Sequence, residues 1–454
     1  SAVQTVAGVC NGDLPTADTS LTDLAVLETK LQKQSNSGNN ASNSALYSLF
    51  PKANIQSVDV KESDLVIRRQ FSVNITNNST GAIQSGSNEV FLPFDEERYT
   101  LIRADGSSEA LTNDKFLFNS GSTQITINGL GSNSANSVLI ATLEKSDIAP
   151  KVKSKNVLSS LVIDKSSLSL SGTGNGTNGD GLTYGNYPYG TRVQDSSICL
   201  NIPDVLYVYG VYESRDTSDP QSPFMSIGSM DGPTATTNDL IIGEEVVGVI
   251  SGAKAVYIIK KSDTSVNIIY KNSTVFEKGE VIKFLKSGVS AIASSVSIGS
   301  KNISSNFKFF NGQKESIYDY SRIIRNPGAP APSKKIIVYF TDAYYDSSDQ
   351  GDITIANSYN NFEYNGDIPG VNGHRVTDMV DARPRVSAYT VSAGAKSPFE
   401  FDGRLFNGDQ HSSKDVIASD ESISVKYDYY LPRIDRIYLD KDGNFSIKKG
   451  SPND

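Results

Sequence analysis

Residues 65–81 have the sequence LVIRRQFSVNITNNSTG, and this stretch decides the class of fold. Its apolar residues alternate with polar ones at Leu65, Ile67, Phe71, Val73 and Ile75. A period of two is typical of a β-strand that buries one face, because successive side chains of a strand point to opposite sides. The segment 77–81, rich in Asn, Ser and Gly, predicts a turn at the end of the strand.

The same alternation continues beyond this strand, with Asp-Gly, Ser-Gly and Asn-Gly pairs between the apolar runs. The series comprises Val90, Leu92, Tyr99, Ile102, Phe116, Phe118, Ile125 and Ile127. We therefore expect residues 51–152 to form a β-sandwich domain. The composition agrees, since 36 Gly, no Trp and 37% apolar residues suit short strands joined by polar turns. The sequence predicts an all-β protein with several small sandwich or barrel domains in series.

The first 50 residues contain one helical pattern. Ser20 occupies a capping position, with Asp23 three residues later. Four leucines would share one face of this helix: Leu21, Leu24, Leu27 and Leu31. The segment 34–43, almost wholly Ser, Asn and Gly, indicates a flexible linker. We expect residues 1–50 to contain a short helix whose apolar face either docks on the first β domain or binds a partner.

Residues 153–334 are expected to form a second β domain with a smaller one nested inside it. Strand-like segments at 205–212 and 307–324 flank a region of short apolar runs with Gly at the corners. This pattern predicts a small closed barrel at about 239–299. Prolines at 327, 330 and 332 then mark a boundary, and residues 335–454 are expected to form a C-terminal β module.

A Gly-rich segment at 172–190 lies within the second domain and carries Tyr184, Tyr187 and Tyr189. So long a Gly-rich stretch is either a disordered loop or an exposed contact loop that the tyrosines anchor. It lacks the spacing of a phosphate-binding loop. We select the three tyrosines as candidate contact residues.

Charge and cysteine usage limit the possible partners. The net charge is −9 and no run of five basic residues occurs, which argues against nucleic acid. No apolar run is long enough for a membrane span. Cys10 and Cys199 are far apart and have no metal-ligand spacing, so free core thiols are expected. The absence of Met at position 1 favours a piece of a longer polypeptide.

Candidate catalytic and metal-binding residues are few. The only histidines, His374 and His411, lie in turn-rich sequence without zinc or triad spacing. Acidic residues cluster within 95–97 and 346–352, where solvated carboxylates are the simpler interpretation. Residues 440–444 begin like a calcium-binding loop but continue without the Gly and Glu that such a loop requires. We expect no catalytic residue, no cofactor and no metal site.

Charged residues near the C-terminus predict a structural ion-pair network. Its members are Asp378, Asp381, Arg383, Arg385, Arg433 and Asp435. Residues two apart on a strand share a face, and apolar neighbours at 431 and 437 suggest partial burial. Buried charges require partners, and arginine binds carboxylates in a bidentate manner. We expect one network that clamps residues 376–386 against residues 430–440.

Several motifs of the last third occur together and in order: FNGQ at 310–313, Tyr318-Asp319, Arg322, VTD at 376–378, Asp381, RPR at 383–385, SPF at 397–399, YYLPRIDR at 429–436 and DKDG at 440–443. Together they resemble an uncharacterised conserved domain of very large virion structural proteins from T4-like marine phages, including cyanophages. The resemblance covers roughly residues 301–454. Shorter stretches near 243–253 and 90–95 are similar to β modules of the same proteins.

The resemblance implies a tail, baseplate or fibre-attachment component of a bacteriophage virion, assembled in the host cytoplasm. It implies other virion proteins as partners and a homo-oligomer, and it carries no catalytic residues. Two alternatives stay open: a carbohydrate-binding adhesin for host attachment, and a glycan-depolymerising tail module. The lack of Trp disfavours the depolymerising module, because sugars stack well on indole rings.

Overall fold

The computed structural model describes residues 20–28, 46–168, 176–231, 236–364, 366–406, 410–419, 421–441 and 443–452. The strands of the first half are β1 (Ser20–Glu28), β2 (Tyr47–Leu49), β3 (Ile55–Ile75), β4 (Ala82–Gln84), β5 (Glu89–Phe91), β6 (Tyr99–Ile102), β7 (Ser108–Glu109), β8 (Phe116–Phe118), β9 (Gln124–Ile127), β10 (Ser134–Lys145), β11 (Lys153–Ile163), β12 (Lys165–Ser166), β13 (Gly176–Thr177), β14 (Thr183–Tyr184), β15 (Ser197–Pro203) and β16 (Val205–Glu213).

The strands of the second half are β17 (Phe224–Met230), β18 (Glu245–Gly248), β19 (Lys254–Ser262), β20 (Ser265–Tyr270), β21 (Val281–Phe284), β22 (Ser290–Ser297), β23 (Lys301–Asn302), β24 (Phe307–Phe310), β25 (Tyr320–Arg325), β26 (Ile336–Tyr345), β27 (Gly370–Val371), β28 (His374–Arg375), β29 (Met379–Asp381), β30 (Val416–Ile417), β31 (Ser422–Tyr430), β32 (Arg436–Leu439) and β33 (Phe445–Lys448). Short 3-10 turns lie at Asn113–Lys115, Ser304–Asn306, Ala356–Tyr359, Val376–Asp378 and Phe401–Gly403. The predicted all-β class is confirmed.

The chain divides into two compact units. Unit 1 comprises residues 1–152, 345–384 and 411–454, and unit 2 comprises residues 153–344 and 385–410. The predicted boundary near 152 therefore coincides with a unit boundary. The predicted C-terminal module 335–454 is wrong as a separate domain, because its strands complete sheets that begin far upstream. For example, β31 lies between β1 and β3, and β26 lies between β11 and β16.

Unit 1 is built around the long strand β3. Its main sheet has the order β1-β31-β3-β10-β6-β7, and the smaller sheet β4-β9-β8 contributes to the same core. Leu65 and Ile67 are buried on β3, where Ile67 pairs with Leu143 of β10. Ile125 and Ile127 of the smaller sheet are also buried. The alternation seen in the sequence thus corresponds to the buried face of a sandwich.

The predicted N-terminal helix is wrong. Residues Ser20–Glu28 form β1, which pairs antiparallel with β31 from Ser20 opposite Tyr430 to Glu28 opposite Ser422. Helical spacing over one short segment favours a helix only weakly, and hydrogen-bonded pairing with the edge of β31 outweighs this preference. Leu31 and the linker at 34–43 lie outside the described residues. Residues 1–50 are not a separate segment either, since β2 pairs with β29 within unit 1.

Unit 2 contains a four-stranded sheet of order β11-β26-β16-β23, a three-stranded sheet of order β15-β25-β24 and a closed barrel. The two sheets share a core that includes Ile198, Val211, Ile323 and Val338. The barrel has its own core, which includes Met225, Val246, Ile268 and Phe284. It therefore forms a nested subdomain.

The barrel begins earlier than the sequence predicted. Its strands follow the order β17-β20-β19-β18-β21-β22, so the first strand is Phe224–Met230 and lies before the expected start at 239. This strand pairs with both β20 and β22. Its sequence, FMSIGSM, buries only Met225 and Ile227, a pattern too weak to identify a strand without its neighbours.

Within the described residues, no helix is long and apolar enough to cross a membrane.

Candidate functional site

Asp381 and Arg383 form a fully buried ion pair in unit 1. Arg383 Nε donates to Asp381 Oδ1 at 3.0 Å, and Nη2 donates to Oδ2 at 2.7 Å. Both side chains have 0% exposure. The carboxylate also accepts from the backbone N–H of Arg383 and from the Ser412 hydroxyl. These hydrogen bonds compensate for the removal of two charges from water.

Arg433 and Asp435 form a second bidentate pair in unit 1, but it is partly exposed. Arg433 Nε lies 2.8 Å from Asp435 Oδ1, and the side chains are 23% and 13% exposed. The N–H of Gly450 also donates to this carboxylate at 2.9 Å. Together with Arg433, this bond holds the pKa of Asp435 below its ordinary value.

The single predicted network is wrong. Asp378 Oδ1 accepts the backbone N–H of Ile55 at 2.9 Å, while Arg433 is engaged by Asp435 within its own segment. Arg385 belongs to unit 2, where it approaches Asp204. Four of the predicted members form two separate pairs, Asp381 with Arg383 and Arg433 with Asp435, in place of one network. The spacing of the residues could not give the long-range partners, because those depend on which strands become neighbours.

Arg385 is part of a buried cluster that we call the Lys153–Asp204 cluster. Lys153 Nζ lies 2.5 Å from Asp204 Oδ2, and both side chains have 0% exposure. Gln313 Nε2 donates to Asp204 Oδ1 at 2.9 Å. Arg385 Nη2 lies 3.8 Å from Asp204 and donates to the carbonyl of Ala343 at 2.9 Å. Lys153 also lies 4.6 Å from the ring centre of Tyr318.

The cluster joins several elements of unit 2. Lys153 begins β11, Asp204 lies between β15 and β16, and Gln313 follows β24. Asp204 adopts a positive φ of 63°, a conformation that Asp tolerates better than most residues. The backbone N–H of Ala343 in β26 donates to the Asp204 carbonyl, which connects Asp204 to β26 as well. The cluster therefore connects β11, β26, the junction of β15 with β16 and the segment after β24 at one buried point.

A third buried pair lies beside the motif residues of unit 2. Arg404 donates to Asp319 in a bidentate manner at 2.7 and 2.9 Å, and Lys314 lies 2.5 Å from the same carboxylate. Burial acts to raise the pKa of Asp319, but the two cations outweigh it and lower the pKa. Nearby, the guanidinium of Arg322 lies 4.7 Å from the ring centre of Phe310 and 5.2 Å from that of Phe399.

Two buried glutamates of the barrel organise turns. Glu280 accepts backbone N–H groups from Ile250 and Ser251 at 3.0 Å and from Glu277 at 2.6 Å. Burial acts to raise the pKa of Glu280, but the bonds to its charged form lower it. Glu244 similarly accepts N–H groups from Ile241, Lys286 and Ser287. These carboxylates accept hydrogen bonds from backbone N–H groups of turns that water would otherwise accept.

The structure describes the predicted contact loop from residue 176 onward. Tyr184 lies half-buried in β14, and the half-buried Tyr187 has Lys165 Nζ at 5.0 Å from its ring centre. Tyr189 is 42% exposed, and its hydroxyl lies 2.8 Å from Ser196 Oγ. Of the three candidates, Tyr189 has the most exposed side chain.

The segment 394–406 packs against this loop, and together we call them the aromatic loop pair (residues 184–190 and 394–406). Ser397 Oγ donates to the Tyr189 carbonyl at 2.7 Å, and the rings of Tyr189 and Phe399 are 6.1 Å apart. Gly190 has a φ of 97°, and a Cβ there would lie 2.6 Å from the Phe399 ring. The second loop carries strongly exposed apolar side chains, namely Phe401, Leu405 and Phe406.

The other chemical candidates occupy structural positions. His374 is exposed in β28, and His411 is half-buried. Asp346 accepts from Ser348, Asp349 accepts the N–H of Val152, and Asp352 pairs with Lys145. Within the described residues, no group of three His, Cys, Asp or Glu side chains is placed to hold a metal ion.

Cys199 and the turn between β32 and β33 also occupy structural positions. Cys199 is a buried free thiol whose pKa burial raises to about 12, and Cys10 lies outside the described residues. Asp440 Oδ1 accepts the N–H of Asn444 at 2.8 Å, at the connection between β32 and β33.

Two open depressions lie on the surface of the described residues. One lies on the barrel beside Ile227, Met230 and Asn238, and its lining includes one carboxylate, Asp263. The other lies along β3 and β4 and is lined by uncharged residues such as Asn74 and Gln84. Neither depression, as formed by the described residues, contains the two carboxylates that glycoside hydrolysis ordinarily requires.

The sequence did not reveal the Lys153–Asp204 cluster, the Asp319 pair or the exposed loop at 401–406. Lys153 begins a strand with the polar sequence KSKN, so the sequence gives no signal that its side chain is buried. Phe401 and Leu405 stand in a polar, Gly-containing segment, which is a recognisable signal of an exposed apolar loop.

No protein-family model, curated protein or solved structure matches the chain.

Proposed function

We propose that the chain is a structural component of a tailed-phage virion, in the tail, the baseplate or a fibre-attachment site, and that it acts through protein–protein interfaces. One observation carries this proposal: the residues responsible for the resemblance to phage virion proteins occupy fold-stabilising positions. Asp381 and Arg383 pair with each other, Arg385 joins the Lys153–Asp204 cluster, and Asp319 binds Arg404. A motif that maintains architecture is expected of a structural domain.

A role as an enzyme would place different demands on these carboxylates. A catalytic acid or nucleophile must face a cleft that admits substrate. Asp381 and Asp204 are buried and bound to cations, and Glu244 and Glu280 accept backbone N–H groups. These groups serve the fold, so we assign the chain no catalytic function.

Exposed apolar side chains support an interface role. Phe401 is 78% exposed and Leu405 is 69% exposed, on a loop that Ser397 and Phe399 fix to the scaffold. Apolar side chains held in this way contribute to binding when a partner removes them from water. Other virion proteins are the partners that the proposal requires.

A carbohydrate-binding adhesin is the second candidate, and the same loop pair favours it. Tyr189 and Phe401 expose aromatic rings that can stack on sugars of a host surface. A glycan array with the wild-type chain and a Phe401→Ala variant distinguishes the candidates. Binding that the substitution abolishes would favour the adhesin, whereas absence of binding favours the interface role.

Localisation in the particle tests the main proposal. Purified virions of the phage that encodes the chain are labelled with gold-conjugated antibodies against the chain and viewed by electron microscopy. We expect label at the tail or baseplate. Particles that lack the chain, by both labelling and mass spectrometry, would refute the proposal.

A further inference from the structure

The hairpin β32–β33 exposes most of its surface. Its strands form a separate two-stranded sheet, with Ile437 opposite Ile447 and Leu439 opposite Phe445. These four apolar residues share one face, and Leu439, Phe445 and Ile447 are 55%, 74% and 58% exposed. A two-stranded sheet is marginal alone, and at least three strands with an apolar face are ordinarily needed for independent stability.

The outer edge of β32 has backbone groups available for another strand. The Asp440 N–H donates to the Asn444 carbonyl, which identifies this as a hydrogen-bonded pair of the hairpin. Hydrogen-bonded and non-hydrogen-bonded pairs alternate in antiparallel sheets. Tyr438 and Arg436 therefore bond toward β33, while the N–H and C=O groups of Ile437 and Leu439 point to the outer edge.

The side chains of β32 are complementary to a second copy of the same strand. In an antiparallel pair centred on Tyr438, Ile437 lies opposite Leu439 of the other copy. Arg436 then lies opposite Asp440, and Asp435 lies opposite Lys441. The outward groups of Ile437 and Leu439 face each other in this register, as a hydrogen-bonded pair requires.

Neighbouring registers lose this complementarity. Centring the pair on Ile437 places Leu439 opposite Asp435, and centring it on Leu439 places Ile437 opposite Lys441. Both registers oppose an apolar residue to a charge. Arg436 is exposed, and within the described part of the chain it has no ion-pair partner. It is thus able to pair with Asp440 of another copy.

The opposite edge of the hairpin is less suitable. On β33, pairing about Ser446 places Lys448 opposite Asn444, and pairing about Ile447 brings Lys449 opposite Phe445. Lysines on an edge strand are a common device against edge-to-edge association. The charge pattern therefore favours β32 over β33.

We propose that the chain forms a twofold homodimer in which β32 of one copy pairs antiparallel with β32 of a second copy, centred on Tyr438. The resulting sheet has four strands, and the apolar residues of both hairpins lie on one side of it. This inference does not depend on the phage assignment, since it rests on the edge geometry and charge order of the hairpin.

Charge reversal in the full-length chain tests the dimer by analytical ultracentrifugation. Arg436→Glu and Asp440→Lys each place like charges opposite each other, so each is expected to raise the dimer dissociation constant by about tenfold or more. An equimolar mixture of the two variants restores opposite charges at both contacts and should form heterodimers. Lys278→Glu, an exposed charge reversal in the barrel, is the matched control and should dimerise like the wild type.

A cysteine cross-link tests the register even if a charge variant destabilises the hairpin. In the proposed dimer the two Tyr438 residues form a non-hydrogen-bonded pair, whose Cα separation of about 4.5 Å permits a disulfide. Tyr438→Cys should yield a disulfide-linked dimer on oxidation, and Lys278→Cys should not. A wild-type chain that is monomeric at all concentrations, a dimer insensitive to both charge reversals, or equal cross-linking of the two cysteine variants would overturn the proposal.

Discussion

The Asp381–Arg383 and Arg433–Asp435 pairs have the same chemistry and the same spacing, yet they lie in different environments. Each is bidentate, with a guanidinium and a carboxylate two residues apart. The first pair has 0% exposure on both sides, whereas the second is 23% and 13% exposed. Local sequence sets the pair, and tertiary packing sets its surroundings.

The difference decides what each pair contributes to stability. A buried charge that loses its partner cannot regain its hydration, so breaking a buried pair is strongly destabilising. An exposed charge that loses its partner is resolvated, and water screens the interaction from the start. We therefore expect equivalent substitutions in the two pairs to have very different effects.

Asp381→Asn is expected to have the largest effect. The substitution removes the carboxylate charge that pairs with the buried Arg383 and disturbs the bonds from the Arg383 N–H and Ser412. The free energy of unfolding should fall by about 3 to 5 kcal/mol. Urea unfolding followed by circular dichroism measures this loss. A midpoint within error of the wild type would show that the pair does not stabilise unit 1.

Lys153→Met should be the next most damaging substitution, with a loss of about 3 kcal/mol in unit 2. Asp204 loses the cation at 2.5 Å but keeps Gln313 and the nearby Arg385, which limits the damage. The exposed Lys278→Met is the control and should leave the urea midpoint unchanged. Equal effects of the two substitutions would exclude a special role for the cluster.

Glu280→Gln should lower the stability of the barrel by about 1 to 3 kcal/mol at pH 7, because a turn loses its charged acceptor. The pKa of Glu280 is lower in the folded chain than in the unfolded chain. Its stabilisation is therefore present above about pH 4.3, the ordinary Glu pKa, and is lost as pH falls through the folded pKa.

Thermal unfolding at pH 7 and pH 3 tests this dependence. The wild type should lose more stability between these pH values than Glu280→Gln does, because the variant lacks the titrating group. Glu277→Gln, at an exposed position of the same turn, should retain the wild-type dependence. Identical pH profiles for the wild type and Glu280→Gln would refute this role.

Asp435→Asn should have the smallest effect. The pair with Arg433 is accessible to water, and the replacement amide still accepts the Gly450 N–H. The urea midpoint should remain within error of the wild type at moderate salt. A loss as large as that of Asp381→Asn would mean that exposure does not distinguish the two pairs.

The sequence predicted the local patterns of the fold better than its pairing. Alternation correctly indicated strands at Leu65 and Ile67, and glycine corners indicated the barrel. It could not reveal that Ser20–Glu28 pairs with a strand some four hundred residues later, because pairing over that separation has no local signal. For the same reason, the prediction omitted the first strand of the barrel and treated the two interleaved units as domains in series.

The charged residues show the same limit. The sequence predicted that Asp381, Arg383, Arg433 and Asp435 belong to one network, whereas the structure contains two separate pairs. Apolar residues at 431 and 437 suggested partial burial of Arg433 and Asp435, and these side chains are 23% and 13% exposed. The burial of Asp204 and Lys153 depends on strands from distant parts of unit 2, so their positions in sequence do not reveal it.

A double-mutant cycle on each pair tests most directly the central claim that the buried charged motif residues maintain the fold. The cycles combine Asp381→Asn with Arg383→Met, and Asp435→Asn with Arg433→Met, with urea unfolding as the measurement. We predict a coupling energy of about 2 kcal/mol or more for the buried pair and none above error for the exposed pair. The double variant at 381 and 383 should also be more stable than Asp381→Asn alone. Equal coupling in the two cycles would contradict the claim.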